Sequence, residues 1–150
     1  MTSKGGVRTA AFVHYPQLVS PSINNKMVPV KDIAATILAL ATAEHTGSNY
    51  GGREVATRSG QSALALLSSI KDFPHRIHVE ELMGKRSVAQ GNWNLIHMPP
   101  PYGAGTWQLY DLSSDLAETN DLTKTFPRKV AALIEIWNEY EHAHQIRLPD

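Results

Sequence analysis

Apolar positions along this chain fall into two regimes, and the change comes near residue 77. Before it the apolar runs are isolated. Residues 9–15, TAAFVHY, form a short apolar run stopped by Pro16 and read as a buried strand. The stretch that follows carries Pro21, Asn24-Asn25 and Pro29 and reads as loop. Residues 30–43 put Asp32 in a first turn and Ile33, Ile37 and Leu40 on one face, which predicts an amphipathic helix. Residues 44–60 are polar and glycine-rich with no helical stripe, and residues 61–70 are apolar at helical spacing and short.

From Ile77 the period drops to that of strands. Residues 77–80, 86–89 and 93–97 are three short runs, separated by Met83-Gly84-Lys85 and Gln90-Gly91-Asn92. Turn residues at that spacing predict an antiparallel meander with tight connections. The proline-rich MPPPYGAG cannot donate a regular ladder and is loop, after which residues 107–110 supply a fourth strand. Pro127 opens the clearest helix, running to about Gln145, with Val130, Leu133, Ile134, Trp137 and Tyr140 in one stripe. A four-stranded antiparallel sheet covered by this C-terminal helix accounts for residues 77–146. The first seventy residues do not make a sheet: one strand and two helices read as the remainder of a larger α/β domain. The expected fold class is therefore α+β, with residues 1–70 as that remnant and residues 71–150 as the sheet-and-helix subdomain.

Composition narrows the partners. Fourteen basic side chains balance fourteen acidic ones, so no net field draws the chain to nucleic acid or to an anionic membrane. No window approaches the roughly 18 apolar residues of a membrane span, and residues 1–16 lack a secretory pattern, so a cytoplasmic location is expected. There is no cysteine, hence no disulfide, thiolate ligand or cysteine nucleophile.

The candidate chemistry begins in GTWQLYDLSSDLAETNDL, where Asp111, Asp115, Glu118 and Asp121 follow the fourth strand. A calcium loop wants oxygen ligands at close alternating spacing around a glycine, and none lies among these acids. Ser113, Ser114, Asp115 and Asp121 instead suit the capping of turns. Of the histidines, His142 and His144 cannot serve one ligand from a helix, because only i+3 and i+4 positions are neighbours. His75 and His78 flank a strand start without a third partner at a zinc spacing. His14, inside the predicted strand, reads as a core histidine. Arg58-Ser59-Gly60-Gln61-Ser62 is not a nucleophile elbow, and Gly5-Gly6 and Gly51-Gly52 are too sparse to cradle a phosphate. No catalytic, cofactor-binding or metal-binding residue is assigned on these grounds.

The order of the motifs nevertheless resembles type I arylsulfatases, the formylglycine-dependent members of the alkaline-phosphatase-like superfamily. Gly5-Gly6-Val7-Arg8 followed by Phe12-Val13 and Tyr15-Pro16 is similar to one strand of that family. Val30-x-Asp32-Ile33 with Thr36-Ile37-Leu38 resembles a helix of it, and Gly60-x-Ser62 with Leu64, Leu66 and Leu67 resembles a third motif. Glu81-x-x-Gly84-x-Arg86-x-Val88-x-x-Gly91-x-Trp93-x-Leu95 looks like its meander. Trp107-x-Leu109-Tyr110-Asp111-Leu112-x-x-Asp115-x-x-Glu118-x-x-Asp121-Leu122 is similar to the signature of its C-terminal region. The resemblance implies that the acidic stretch is a structural junction between the last strand and the closing helix. It also implies a formylglycine nucleophile in a Cys/Ser-x-Pro-x-Arg motif, calcium-binding acids and leaving-group histidines, none of which has a counterpart in these 150 residues. Lys4 stands where the family has glutamate and does not take the role of its sulfate-contacting lysine. Ala35, Leu116 and Asn94 replace the expected proline, proline and lysine.

Two readings follow. In one, the chain is the C-terminal segment of an arylsulfatase-like sulfuric ester hydrolase, without nucleophile, calcium site or cofactor of its own, inactive alone and complementing a sulfatase catalytic region. In the other, it is an independent module that self-associates or binds a partner or ligand. A homo-oligomer would pair the orphan strand at residues 9–15, and Trp93, Trp107 and the loop ending in Tyr102 would offer an aromatic surface. Those tryptophans otherwise fill the small core.

Overall fold

The computed structural model describes residues 3–43, 47–57, 59–68 and 76–149. In chain order its elements are α1 (Lys4–Val7), α2 (Lys31–Leu40), β1 (Asn49–Tyr50), β2 (Arg53–Glu54) and α3 (Leu64–Leu67), then β3 (Ile77–Leu82), β4 (Lys85–Gln90), β5 (Trp93–His97), β6 (Trp107–Asp111) and α4 (Pro127–His144). They divide into two units, one of residues 1–10 and 75–150, the other of residues 11–74.

The first unit is the expected meander with its closing helix. The strands lie in the order β3-β4-β5-β6, each antiparallel to the next. Two tight connections set the register. Leu82 pairs with Lys85 across Met83-Gly84, and Gln90 pairs with Trp93 across Gly91-Asn92. Both residues of the first turn hold positive φ, 52° and 78°, a geometry that follows the right-handed strand twist. Strand alternation then sends Val88, Leu95 and Leu109 to one face, where they meet Val130, Leu133 and Trp137 of α4 in the main core. Trp93, Trp107, Ile134 and Tyr140 pack around it. Trp93 meets Phe126 edge-on at 5.1 Å and Trp107 lies 6.0 Å from Trp137, so the tryptophans fill core, as the simpler expectation had it. The opposite face is buried too, through Ser87, Ala89, Asn94, Ile96, Met98 and Tyr110. Pro127 begins α4, and Gln145 ends it in the left-handed conformation.

The second unit is small. β1 and β2 form a two-stranded hairpin across Gly51-Gly52, inside the polar, glycine-rich stretch that carries no helical stripe. The α2 helix packs through an unexpected side. Asp32, Ala35 and Thr36 are its buried residues. The Asp32 carboxylate accepts the Gln61 amide at 2.8 Å, and Thr36 Oγ1 accepts the Ala63 amide at 2.9 Å. A Cβ on Gly60 would lie 2.1 Å from the Lys31 carbonyl oxygen, so only glycine lets the two backbones pass this closely.

Three local expectations are corrected. Residues 9–15 form no strand: with no neighbouring strand to take their amides they stay irregular, and Phe12 is 94% exposed. His14 is therefore exposed rather than a core residue, and the strand on which a homodimer was to be built is not there. The second predicted helix is reduced to Leu64–Leu67, its last expected residues, 69 and 70, lying outside the described set.

Candidate functional site

The acids after β6 are spent on the backbone. Asp111 Oδ1 accepts the Ser113 amide at 2.9 Å and its hydroxyl at 2.6 Å. Asp115 accepts the Thr119 and Asn120 amides, both at 2.8 Å. Asp121 Oδ1 accepts the Leu109 amide at 3.1 Å, the Thr123 amide at 2.9 Å and the Thr123 hydroxyl. Glu118 reaches the other way and takes the side-chain amide of the fully buried Asn94 at 2.5 Å. Among the described residues no three acids or histidines come together in a way that could hold a metal ion.

The electrostatics agree with this use. The Ser113 hydroxyl and amide hold the Asp111 carboxyl below its ordinary value, and the Asn120 amide, with Thr119, does the same for Asp115. Burial works to raise the Asp121 carboxyl, but the bonds from Thr123 and Leu109 and the nearby Lys124 outweigh it, so it too lies low. Tyr110, on the face toward these acids, is pushed up by burial and then by Asp121, Glu118 and Asp115. Charged carboxylates stabilised by amide donors brace a turn; they make poor proton donors at neutral pH. Leu122 adds a backbone bond from its amide to the Leu109 carbonyl at 2.8 Å. Leu109 is thus tied through both its backbone groups to residues 121–123, and the β6 edge is covered there.

On the helix side of the sheet lies a cluster that motif reading did not single out. Arg86 and His97 are direct cross-strand partners. The Arg86 guanidinium lies 5.3 Å from the Trp107 ring centre and 5.7 Å from that of Trp137. One Arg86 guanidinium nitrogen lies 3.1 Å from His97 Nδ1 and 3.2 Å from Nε2, and Nε2 lies 3.0 Å from the Gly105 carbonyl oxygen; since the arginine only donates and the carbonyl only accepts, the pairing that serves both has Nδ1 accepting from Arg86 and Nε2 donating to Gly105. The imidazole is therefore neutral. Burial first, and the Arg86 charge second, lower its pKa; burial also lowers that of Arg86, against Glu141 and Glu81. The signal for this pair was the two-residue turn at Gly91-Asn92, which fixes residue 86 opposite residue 97.

A groove of about 390 Å³ opens on the other face, walled by Ile96, Met98, Gln108, Lys85, Tyr102 and Glu118. Ser3 and Gly5 of the N-terminal segment close part of it. The Lys85 ammonium sits 4.0 Å over the Tyr102 ring. Of the histidines weighed earlier, His78 bonds Glu80 at 2.6 Å, His144 donates to the Tyr140 carbonyl at 2.9 Å, His142 is exposed, and His75 lies outside the described residues. Among the described histidines of this set, His78 and His144 are each engaged by the partner named and not by a nucleophile.

No protein-family model matches the sequence. An uncharacterised sulfatase of Schizosaccharomyces pombe is 36% identical over 148 residues, covering 93% of this chain and 26% of its own. Among solved structures, a Bacteroides thetaiotaomicron protein from a core genetic locus for the metabolism of multiple glycosaminoglycans superposes with a TM-score of 0.55 at 27% identity. That match covers 74% of this chain and 24% of the other. A protein solved with its substrate D-glucosamine-2-N,6-O-disulfate shares the fold at a TM-score of 0.50 and 16% identity, over 76% of this chain and 24% of its own. The chain spans about a quarter of the length of the relatives it matches. Among the described residues no helix is long and apolar enough to cross a membrane.

Proposed function

We infer that this sulfatase-like chain, similar to the C-terminal region of formylglycine-dependent arylsulfatases, acts as the structural subdomain that closes a sulfuric ester hydrolase and does not carry its reacting groups. One observation bears most of the weight. Every acid of the motif most reminiscent of that family is engaged by an amide or hydroxyl of this same segment, or by Asn94, leaving no open carboxylate set for a cation. Among the described residues no set of acids fits a calcium site, and the sequence contains neither cysteine nor a Ser-x-Pro-x-Arg motif from which a formylglycine could be made. Nucleophilic attack on the sulfur therefore requires groups supplied by other parts of a sulfatase polypeptide. What these residues supply is a rigid two-faced sheet, locked at one edge by Asp121 and on one face by α4.

The test is hydrolysis of a chromogenic aryl sulfate by the 150-residue chain alone and by the same chain fused to the remaining three quarters of the fission yeast relative. The expected result is no turnover above buffer for the chain alone, and turnover for the fusion once its nucleophile has been matured. Turnover by the isolated chain, abolished by no change outside it, would sink the reading.

A further inference from the structure

The sheet of the first unit has one open edge. Among the described residues nothing pairs with the side of β3 that faces away from β4. At the opposite edge Leu109 is already bonded to residues 121–123. The turn after β3 decides which of its backbone groups are open. A two-residue turn joins a hydrogen-bonded pair, here Leu82 and Lys85. Bonded and non-bonded pairs alternate along the ladder, so His78 and Glu80 bond back to β4 while Ile77, Val79 and Glu81 direct amides and carbonyls outward. Charge commonly guards such an edge. Here the Glu81 carboxylate is spent within the sheet: it accepts the Gly84 amide at 2.8 Å, and Arg86 stands opposite it on β4. On the other face His78 and Glu80 hold each other at 2.6 Å.

We propose that β3 pairs with β3 of a second copy of this chain, antiparallel about a two-fold axis through Val79. This pairing is independent of the hydrolytic reading above. A two-fold axis normal to the sheet keeps like faces together, so only residues of one face can meet. Centred on Glu80, the ladder would oppose two carboxylates. Centred on Val79, it sets Val79 against its own copy, Ile77 against Glu81 of the second copy, and His78 against Glu80 of the second copy. The outward groups of residues 77, 79 and 81 then bond one another. The imidazole–carboxylate pairs fall at the non-bonded positions, where side chains approach most closely. One strand thus supplies both halves of a complementary edge, which favours a second copy over an unrelated strand. With the β6 edge covered, the assembly stops at two. A strand pair this short buries less than the roughly 800 Å² per partner of a standard interface, and a dissociation constant of about 10–100 µM is expected.

The experiment is light scattering of the 150-residue chain from about 1 µM to about 1 mM, with amide hydrogen exchange at both ends of that range. Monomer should pass to dimer as concentration rises. Protection should grow with it at Ile77, Val79 and Glu81, and stay constant at His78 and Glu80, which β4 already holds. Glu80→Lys sets lysine against His78 of the second copy and should weaken the dimer about tenfold. His78→Glu sets two carboxylates opposite each other and should do the same. The combined exchange, His78→Glu/Glu80→Lys, opposes unlike charges again and should return affinity to within about twofold of the parent. Circular dichroism of dilute samples checks that each variant monomer is folded; where one is not, the wild-type exchange pattern decides alone. A monomer at every concentration overturns the proposal, as does growth beyond two copies. A dimer without added protection at residues 77, 79 and 81 overturns the edge as its site. So does a dimer indifferent to the single charge changes, or one that the combined exchange fails to restore.

Discussion

Asp121→Asn changes one atom's chemistry at the junction and nothing of its size. The carboxylate oxygen receives two backbone amides and a hydroxyl, from Leu109 and Thr123. A hydrogen bond to a charged group is worth about 1.5–3 kcal/mol, and a neutral one about 0.5–1.5. Asp121 is largely exposed, so solvent screens its charge and the lower ends apply. The Leu109 amide also keeps Thr123 Oγ1 at 3.1 Å as a second acceptor. The net cost is about 1 kcal/mol at neutral pH, and about 2 for Asp121→Ala, where no acceptor remains on the side chain. In a cooperative unit of this size, 1 kcal/mol moves the midpoint by about 4–8 °C. The pH dependence separates this account from a purely steric one. The folded carboxyl lies below its ordinary value, so its contribution is fully present above the unfolded value near 3.9 and is lost as pH falls through the folded one. Thermal unfolding of wild type and Asp121→Asn should show a constant gap from pH 7 to about 5, closing below pH 4. A gap that stays level down to pH 3, or no gap at pH 7, would refute the bracing role.

The neighbouring cluster titrates in a different window. His97 is held neutral in the fold, with its pKa below the ordinary 6.5, so the unfolded chain binds the extra proton and stability falls as pH drops below about 6.5. An NMR titration should find the His97 ring protonating later than a free histidine as pH is lowered; protonation above pH 6.5 would contradict its burial beside Arg86. In the second unit, Gly60→Ala would drive a methyl group into the Lys31 carbonyl and should cost more than 2 kcal/mol, on the scale of overpacking. Loss of amide protection at Gln61 and Ala63, with the sheet unchanged, is the expected hydrogen-exchange result.

How much of this was legible depended on how local the determinants were. The meander and α4 could be read because a two-residue glycine turn and a 3.6-residue stripe are set by neighbours in sequence. The capped acids were legible for the same reason: Asp111 to Ser113, Asp115 to Thr119 and Asp121 to Thr123 are short-range bonds. The run at residues 9–15 was not, because an apolar stretch becomes a strand only when another chain segment takes its amides. The orientation of α2 was hidden too. Its pattern predicts which residues share a face, while the hydrogen bonds from residues 61 and 63, nearly thirty positions away, decide which face turns inward. The Arg86–His97 pair lay between these cases, implicit in the register and invisible to a search for motifs.

The way the chain closes the first unit has an entropic consequence. Residues 3–10 belong with the sheet, yet the 64 residues numbered 11–74 separate them from it in sequence. Contacts between segments so distant in sequence carry a closure cost that neighbouring segments escape, and α1 has little of its own to set against it, being a single turn with two glycines. The meander, whose ladders join strands adjacent in sequence, carries no such cost. Opening should therefore begin at the N-terminal segment while β3–β6 stay shut. Because Ser3 and Gly5 form part of the groove wall, opening of this segment would widen the groove's mouth with no rearrangement of the sheet beneath it.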